Sequence, residues 1–409
     1  MYKTIDRCRL CGNTDLVEVL DLGVQALTGV FPRKKEERVT SGPLRLVKCV
    51  GEGVCNLLQL AETYDPAEMY GHNYGYRSGL NPNMVAHLQG TIRRLLAKQS
   101  LRPDSVVIDI GSNDSTTLQA YPVGGCTPVG VDPTGVKFSK HYPAHITLIP
   151  EFFPSPGLRR VTGGRKAAII TAFSMLYDLE DPLQFASSVA QELDDEGLWV
   201  FEQSYMPAML QRNSYDTVCH EHQEYYALHQ IRWMLDRVDL KIIDVEFNDV
   251  NGGSFCVTAA RRQSRRQPTA TVDLTLQREL REGLSALGPY GEFDRRVSES
   301  REALQAFLEG AKRRGKRVLG LGASTKGNVI LQYCGITDAD IARIGEVNED
   351  KFGAFTPGSH IPIVPERQVL AEAPDYLLVL PWHFRQFFCD NPGFPEGKLV
   401  FPLPSVEVV

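Results

Sequence analysis

The stretch VVIDIGSNDSTTL, Val106–Leu118, decides how the chain is read. Val106–Ile110 is a short apolar run with β-branched residues, which predicts a buried strand. Gly111-Ser112-Asn113-Asp114 predicts a tight turn, and TTLQAY from Thr116 predicts the start of a helix. That order places the turn beyond the carboxyl end of a strand, where open α/β sheets bind ligands. Gly111 lets the backbone approach a ligand closely. A pyrophosphate site would want G-x-G-x-x-G on a helix N-terminus. This turn has a single Gly and two acids, Asp109 and Asp114, which suit a cofactor with a cationic amino group better. Asp132 closes the next strand, where an acid can accept hydrogen bonds from ribose hydroxyls. A turn rich in Asn and Asp for purely conformational reasons is the competing reading.

Outward from this turn the pattern repeats. TPVGVDP at Thr127–Pro133 and KAAIITAF at Lys166–Phe173 predict a second and third strand. SVAQELDDEGLWVFEQ, Ser188–Gln203, predicts a helix, a turn at Gly197 and a fourth strand. Strands alternating with helices predict a mainly parallel sheet covered on both faces. RRQSRRQP at Arg261–Pro268 reads as a solvated loop leaving a domain, with a phosphate site as the weaker alternative. Val272–Arg314 has helical period with a break at Gly288-Pro289, and reads as a bridge between domains. RVLGLGAS at Arg317–Ser324 is again a strand and a Gly-rich turn, and IARIGEVNED and PDYLLVLPW predict later strands of the same sheet.

The chain has 409 residues, 43% hydrophobic and 23% charged, with a formal net charge of -6. That length predicts two to four domains. The acidic balance argues against broad nucleic-acid binding. No window resembles a membrane helix and the N-terminus lacks a secretory signal, so the expected location is the cytoplasm. The oligomeric state is not written in the sequence, and a monomer is consistent with it.

Four of the nine cysteines cluster near the N-terminus. Cys8 and Cys11 form a C-x-x-C pair; Cys49 and Cys55 form a wider one whose loop must bulge. Two local pairs of soft ligands suit a tetrahedral structural zinc, which would offset the weak core of a small segment. A redox pair or unrelated buried thiols are the alternatives, and no βαβ pattern surrounds Cys8 to support the first.

Further on, His220-Glu221-His222 is consecutive, so these residues cannot share a helix face as H-E-x-x-H ligands do. In an extended segment His220 and His222 would point one way and Glu221 the other. Histidine is the commonest general base, and a structural role is the alternative.

Together these motifs resemble the sugar C-methyltransferases that act on nucleotide-linked keto-deoxysugars, the tetronitrose C-3′-methyltransferase among them. The likeness spans the chain: CRLCGN, LDLGVQALTGVFP at Leu20–Pro32, YGYRSGLN at Tyr74–Asn81, DIGSNDSTTL, CHEHQEYY, NGGSF at Asn251–Phe255, GLGASTKGN at Gly320–Asn328 and PGSHIPI at Pro357–Ile363. The resemblance implies an α/β protein of three domains. These are a small zinc-bound N-terminal domain (1–85), a central Rossmann-like class I methyltransferase domain (86–265), and a second Rossmann-like α/β domain behind bridging helices (266–409). It implies S-adenosylmethionine as cofactor, with Tyr74, Gly111, Asn113, Asp132, Glu151 and Phe152 around it, and zinc on Cys8, Cys11, Cys49 and Cys55. It makes His222 the base, with Glu221, His220, Tyr225 or Asp178 orienting it or bonding an enolate oxygen. Tyr76, Asn251, Ser324, Lys326 and Asn328 would face the substrate, the last three through its phosphates. This chain departs from the tetronitrose-type pattern at Cys219, at Asp178 (or Tyr177, if the alignment shifts by one) and at Asn251. The expected reaction is methylation at carbon 3 of a 4-keto-6-deoxysugar. O- or N-methylation of a nucleotide sugar is the alternative within methyltransferases. Outside them stand a zinc hydrolase using the His cluster, a scaffold protein, and an NAD dehydrogenase. Against the last, the turn at Gly320–Ser324 lacks the third Gly and no clear acid follows on a strand.

Overall fold

The computed structural model describes residues 2–69 and 77–409. Tyr74 and Tyr76 lie outside the described residues.

The central sheet has seven strands, Val106–Ile110, Thr127–Val131, Thr147–Ile149, Ala167–Phe173, Leu193–Ser204, Leu240–Asn248 and Ser254–Arg261. Counted in chain order they lie 3-2-1-4-5-7-6, and only the last runs antiparallel to its neighbours. All five residues of Val106–Ile110 are buried, as a central parallel strand covered on both faces requires. On one face the helix Pro82–Lys98 sets Ile92 and Leu95 against Val107, Ile169, Leu198 and Val200. Its N-cap is Asn81, whose side chain accepts from the N–H groups of Asn83 and Met84. On the other face the helix Pro182–Glu192 buries Phe185 and Val189, Phe185 lying 6.2 Å from Trp199.

Two local expectations are corrected. No α-helix follows the first strand; one 3-10 turn, Leu118–Ala120, stands there. Asp114 Oδ1 accepts from Thr116 N and Oγ1, and Asn113 and Ser115 take positive φ of 48° and 64°. Such side-chain bonds compete with helix formation. Gly197 does not make a turn either. It lies in a bulge of the strand Leu193–Ser204, where a Cβ would sit 2.7 Å from the Ala167 carbonyl. The residue permits close strand approach rather than reversal.

The C-terminal sheet is built from Val318–Leu321, Ile344–Glu346, Ile363–Pro365, Tyr376–Val379, Leu399–Phe401 and Glu407–Val408. Its order, 3-2-1-4-5-6, is parallel except for the last strand. The helices Ala270–Arg281 and Gly288–Arg313 bridge the two sheets; the break lies at 282–287, just before the expected Gly288-Pro289, which instead start the second helix, where proline is tolerated. Arg262, Gln263, Arg265 and Gln267 are exposed, as a solvated loop requires.

The N-terminal residues form a four-stranded antiparallel sheet in the order Glu224–Tyr225, Leu58–Leu60, Ser41–Cys49, Leu16–Ala26. One edge strand therefore comes from the segment that carries the histidines. No helix among the described residues is long and apolar enough to cross a membrane.

Candidate active site

Cys8, Cys11, Cys49 and Cys55 bring their sulfurs within 4.8 Å of one another. Cys8 and Cys55 are 3.4 Å apart, Cys11 and Cys49 3.6 Å. A tetrahedron with Zn–S bonds of about 2.3 Å has edges of about 3.8 Å, so four thiolates here fit zinc. The first pair forms a knuckle: Cys8 N donates to Asn13 O and Gly12 N to Cys8 O, both at 2.8 Å, with Gly12 at φ +72°. The wider pair bulges through Gly51 and Gly53, at φ +135° and +72°. With all four positions filled by protein, such a zinc is structural and keeps no open position for catalysis. It is the sole cluster of three or more His, Cys, Asp or Glu arranged for a metal among the described residues. The zinc-hydrolase alternative therefore has no site at His220 and His222.

At the carboxyl end of the first central strand, Gly111 takes φ +73° and donates its N–H to Val131 O at 2.9 Å. Asp132 Oδ2 accepts from Asn113 N at 2.7 Å, and its Oδ1 accepts from Thr134 N and Oγ1, both at 2.7 Å. A carboxylate has about four acceptor sites, so Asp132 is rigidly aimed with capacity left for a ribose hydroxyl. Glu151 accepts from Ser155 Oγ. Beside it Phe152 is 74% exposed, an open ring on which a purine can stack. These features fit S-adenosylmethionine. Asp109 and Asp114 do not contribute as the sequence suggested. Asp109 is buried against Thr171 Oγ1 at 2.5 Å, and burial pushes its carboxyl up to about 7. Asp114 accepts from Gly79 N at 3.0 Å and pairs with Arg77 at 3.6 Å. Asn113 Oδ1 likewise accepts from Ser78 N at 3.0 Å. The loop is thus clamped by residues 77–79.

The histidine segment is a turn rather than an extended strand, because His222 N donates to Cys219 O at 3.1 Å. The expected alternation therefore fails. His220 is buried edge-on against Tyr64, centroids 4.7 Å apart, on the N-terminal side. His222 faces Tyr177 at 4.3 Å, on the central domain. His222 Nδ1 donates to Thr217 O at 2.9 Å, and the Tyr225 hydroxyl donates to the same carbonyl at 3.4 Å. That bond selects the tautomer with a lone pair on Nε2, which has no hydrogen-bond partner among the described residues. Burial first, then the positive charge of Lys326, lower the His222 pKa to about 4. Tyr177, Ser204, Met206, Thr217 and Tyr225 line a small cavity with His222. Asp178 adjoins Tyr177, and its carbonyl accepts from Gln223 Nε2 at 2.9 Å. Sequence reasoning offers Tyr177 only as the alternative to Asp178 and misses Thr217, since a backbone carbonyl leaves no motif.

Three domain models match successive parts of the chain. They are a zinc binding domain at residues 8–70, a methyltransferase domain at 84–245 and a C-methyltransferase C-terminal domain at 249–404. The C-methyltransferase NovU of Streptomyces niveus is 28% identical over 423 aligned residues, covering 100% of this chain and 98% of that protein. Over its whole length the chain is therefore similar to a C-methyltransferase, and its central part is a methyltransferase domain that takes S-adenosylmethionine. Two solved methyltransferases align with less than half of it. One is an S-adenosylmethionine-dependent enzyme of Clostridium acetobutylicum, at 11% identity and TM-score 0.33, covering 44% of this chain and 91% of that one. The other is the N-methyltransferase NodS of Bradyrhizobium japonicum, at 13% identity and TM-score 0.33, covering 45% and 89%.

In this methyltransferase the C-terminal turn reaches back to the other two domains. Ser324 caps the helix Thr325–Tyr333, its side chain accepting from Gly327 N. Asn328 Nδ2 donates to Thr28 O at 2.7 Å. Gln332 exchanges hydrogen bonds with the backbone of Ala26. Lys326 donates to the carbonyl of Asn251 at 2.7 Å, Asn251 itself taking φ 55°. Lys326 also faces Asp216, which accepts from Trp382 Nε1 at 2.9 Å. The LDLGVQALTG motif therefore serves to lock the N-terminal sheet onto the C-terminal domain.

Glu221 sits at this three-way junction. Burial raises its pKa. A Cβ on Gly29 would overlap Glu221 Oε1 and come within 3.7 Å of Thr325 Oγ1. Gly29→Ala is therefore expected to cost about 1–3 kcal/mol of stability through overpacking. It should also lower kcat while leaving the affinity for S-adenosylhomocysteine unchanged. Melting curves beside single-turnover rates check this, and an unaltered kcat would remove Glu221 from the working site.

The acid that the sequence reading found missing after the C-terminal Gly-rich turn is present. Glu346 closes the strand next to it. Ile344–Glu346 is only three residues long, and its flanking VNED gave no contrast by which to recognise a strand end.

Proposed function

We propose that this C-methyltransferase adds a methyl group to carbon 3 of a nucleotide-linked 4-keto-6-deoxysugar. The observation that carries the reading is His222, neutral at pH 7, with Nδ1 tied to the Thr217 carbonyl and Nε2 left as the base. S-adenosylmethionine supplies an electrophilic methyl on a sulfonium. The ketone at carbon 4 acidifies the carbon-3 proton. His222 Nε2 takes that proton, the electron pair moves into the enolate, and carbon 3 then bonds the methyl while the methyl–sulfur bond breaks. Tyr225 and Asp178 flank the base, and Glu221 holds the turn on which it sits. Stabilising the enolate oxygen is worth roughly 3–4 kcal/mol per well-placed donor. We assign the substrate's diphosphate to the turn at Ser324, with Asn328 in the first helical turn and the potential of Lys326 behind it. Asn251 orders that lysine through its carbonyl. Tyr74 and Tyr76 are assigned to close over donor and sugar.

The test is carbon NMR of the product formed with methyl-labelled cofactor. A methyl on carbon 3, together with solvent exchange of the carbon-3 proton in the absence of cofactor, is the expected result. A methyl on oxygen or nitrogen would sink the carbon-acid mechanism.

A further inference from the structure

The strand order of the C-terminal sheet reverses between Val318–Leu321 and Tyr376–Val379. The crevice beyond such a reversal is where open α/β sheets take ligands. Leu321 runs into Gly322, at φ +78°, whose N–H donates to Gly345 O at 2.8 Å. That bond sets Glu346 beside the turn. Glu346 Oε1 accepts from Val347 N at 2.7 Å and Asn348 N at 2.9 Å, which fixes the carboxylate. Its Oε2 makes no hydrogen bond among the described residues. Beside the pair, Lys351 donates to Ala323 O at 2.7 Å and lies close enough to partly balance the glutamate's charge. On the other side of the turn, His383 follows the strand Tyr376–Val379, and its buried Nδ1 has no partner among the described residues. Val347, next to Glu346, is 72% exposed and offers an apolar flank to a base.

An aimed carboxylate with one open oxygen, at the end of the strand adjoining a Gly-rich turn, is how α/β sheets recognise a nucleoside sugar. A dinucleotide would need a third glycine where this turn carries Thr325, just after Ser324, whose side chain caps the helix. We propose that Glu346 Oε2 accepts a hydrogen bond from a ribose hydroxyl of the substrate's nucleoside diphosphate. The C-terminal domain then grips the nucleoside while His222 acts on the sugar. The inference rests on the reading of the substrate as nucleotide-linked.

Calorimetric titration of the zinc-loaded full chain tests it, with UDP, GDP, CDP and dTDP as probes. The proteins are the wild type, Glu346→Gln and Glu346→Ala, with S-adenosylhomocysteine as a folding control. At least one probe should bind the wild type. Glu346→Ala should weaken it about tenfold, as loss of one hydrogen bond to a charged group implies, and Glu346→Gln somewhat less. The 2′,3′-dideoxy form of that nucleotide should bind wild type and Glu346→Ala alike. Equal binding of the ordinary nucleotide to both proteins overturns the inference and leaves the nucleotide-sugar reading standing. So does an equal loss for the dideoxy form. If no probe binds while S-adenosylhomocysteine does, the nucleotide-sugar reading falls, and this inference with it. NAD binding more tightly than every probe overturns the inference as well. Should Glu346→Ala lose the cofactor product, Glu346→Gln decides, because it keeps an acceptor for the two N–H groups.

Discussion

His222→Ala is expected to lower kcat by about a hundred- to ten-thousand-fold, the usual contribution of a positioned general base. The affinity for S-adenosylhomocysteine should stay within about twofold of the wild type. The cofactor loop is held by Asp132, Val131 and residues 77–79, none of which touches the imidazole. The pH profile adds a second readout. A base works unprotonated, and burial with the nearby Lys326 brings the His222 pKa down to about 4. Activity should therefore hold as pH falls through 6.5, where an ordinary histidine protonates, and decline only on approach to 4. So weak a base can remove a carbon proton only if the enolate is strongly stabilised. On the proposed mechanism the enzyme relies on donors at the enolate oxygen, and rates should fall with each one removed. Near-normal transfer by His222→Ala, or an acid limb at pH 6.5 that the substitution does not abolish, would reassign the base.

How much of this could be read from the chain follows the range of the interactions. Val106–Ile110 and Ala167–Phe173 are apolar runs buried on both faces, so their strands are legible one at a time. The four cysteines are legible because metal chemistry limits which residues can serve. What failed depended on contacts distant in sequence. Glu224–Tyr225 pairs with Leu58–Leu60 of the zinc-bound sheet, and two residues of strand carry no periodicity. The divergence of His220 and His222 follows from a turn closed by Cys219, whereas alternation assumes an extended chain. Gly197 is explained by Ala167, 30 residues away in the sequence and across a strand pair. Lys326 is expected from the sequence to line a phosphate-binding turn, and the structure adds where its head lies. Its burial against Asn251 and Asp216 depends on how the domains meet, which one segment cannot reveal. The site is thus recognisable in its residue types and hidden in its geometry, because the cavity at His222 is lined by the central domain while Lys326 and the Leu58–Leu60 strand bear on it from the other two.

Removing zinc should abolish methyl transfer while leaving cofactor binding intact. Structural zinc contributes apparent binding energies of about 10–16 kcal/mol in small domains, as large as the whole stability of a typical domain, about 5–15 kcal/mol. Its loss should melt the N-terminal sheet. The damage would then travel by a short covalent and hydrogen-bonded route. Arg9 sits between the cysteines of the first pair. Its backbone N–H donates to Gln59 Oε1 at 3.0 Å, and its guanidinium donates to Leu60 O, Glu62 O and Thr63 Oγ1. The Leu58–Leu60 strand so held pairs with Glu224–Tyr225, and Leu60 N donates to Gln223 O at 2.9 Å. Gln223 N in turn donates to Tyr177 O at 2.7 Å, next to His222. Without the sheet, the turn carrying the base loses one of its two sides. The Gly111 loop and Asp132 belong to the central sheet and touch none of these groups. Metal analysis should find one zinc per chain, lost together with kcat in Cys49→Ser or after chelation. Calorimetry with S-adenosylhomocysteine should still give near-wild-type affinity. A metal-free protein with full kcat would show that the zinc domain does not hold His222 in place. Loss of cofactor affinity in parallel with kcat would show instead that the central sheet does not fold without its N-terminal partner.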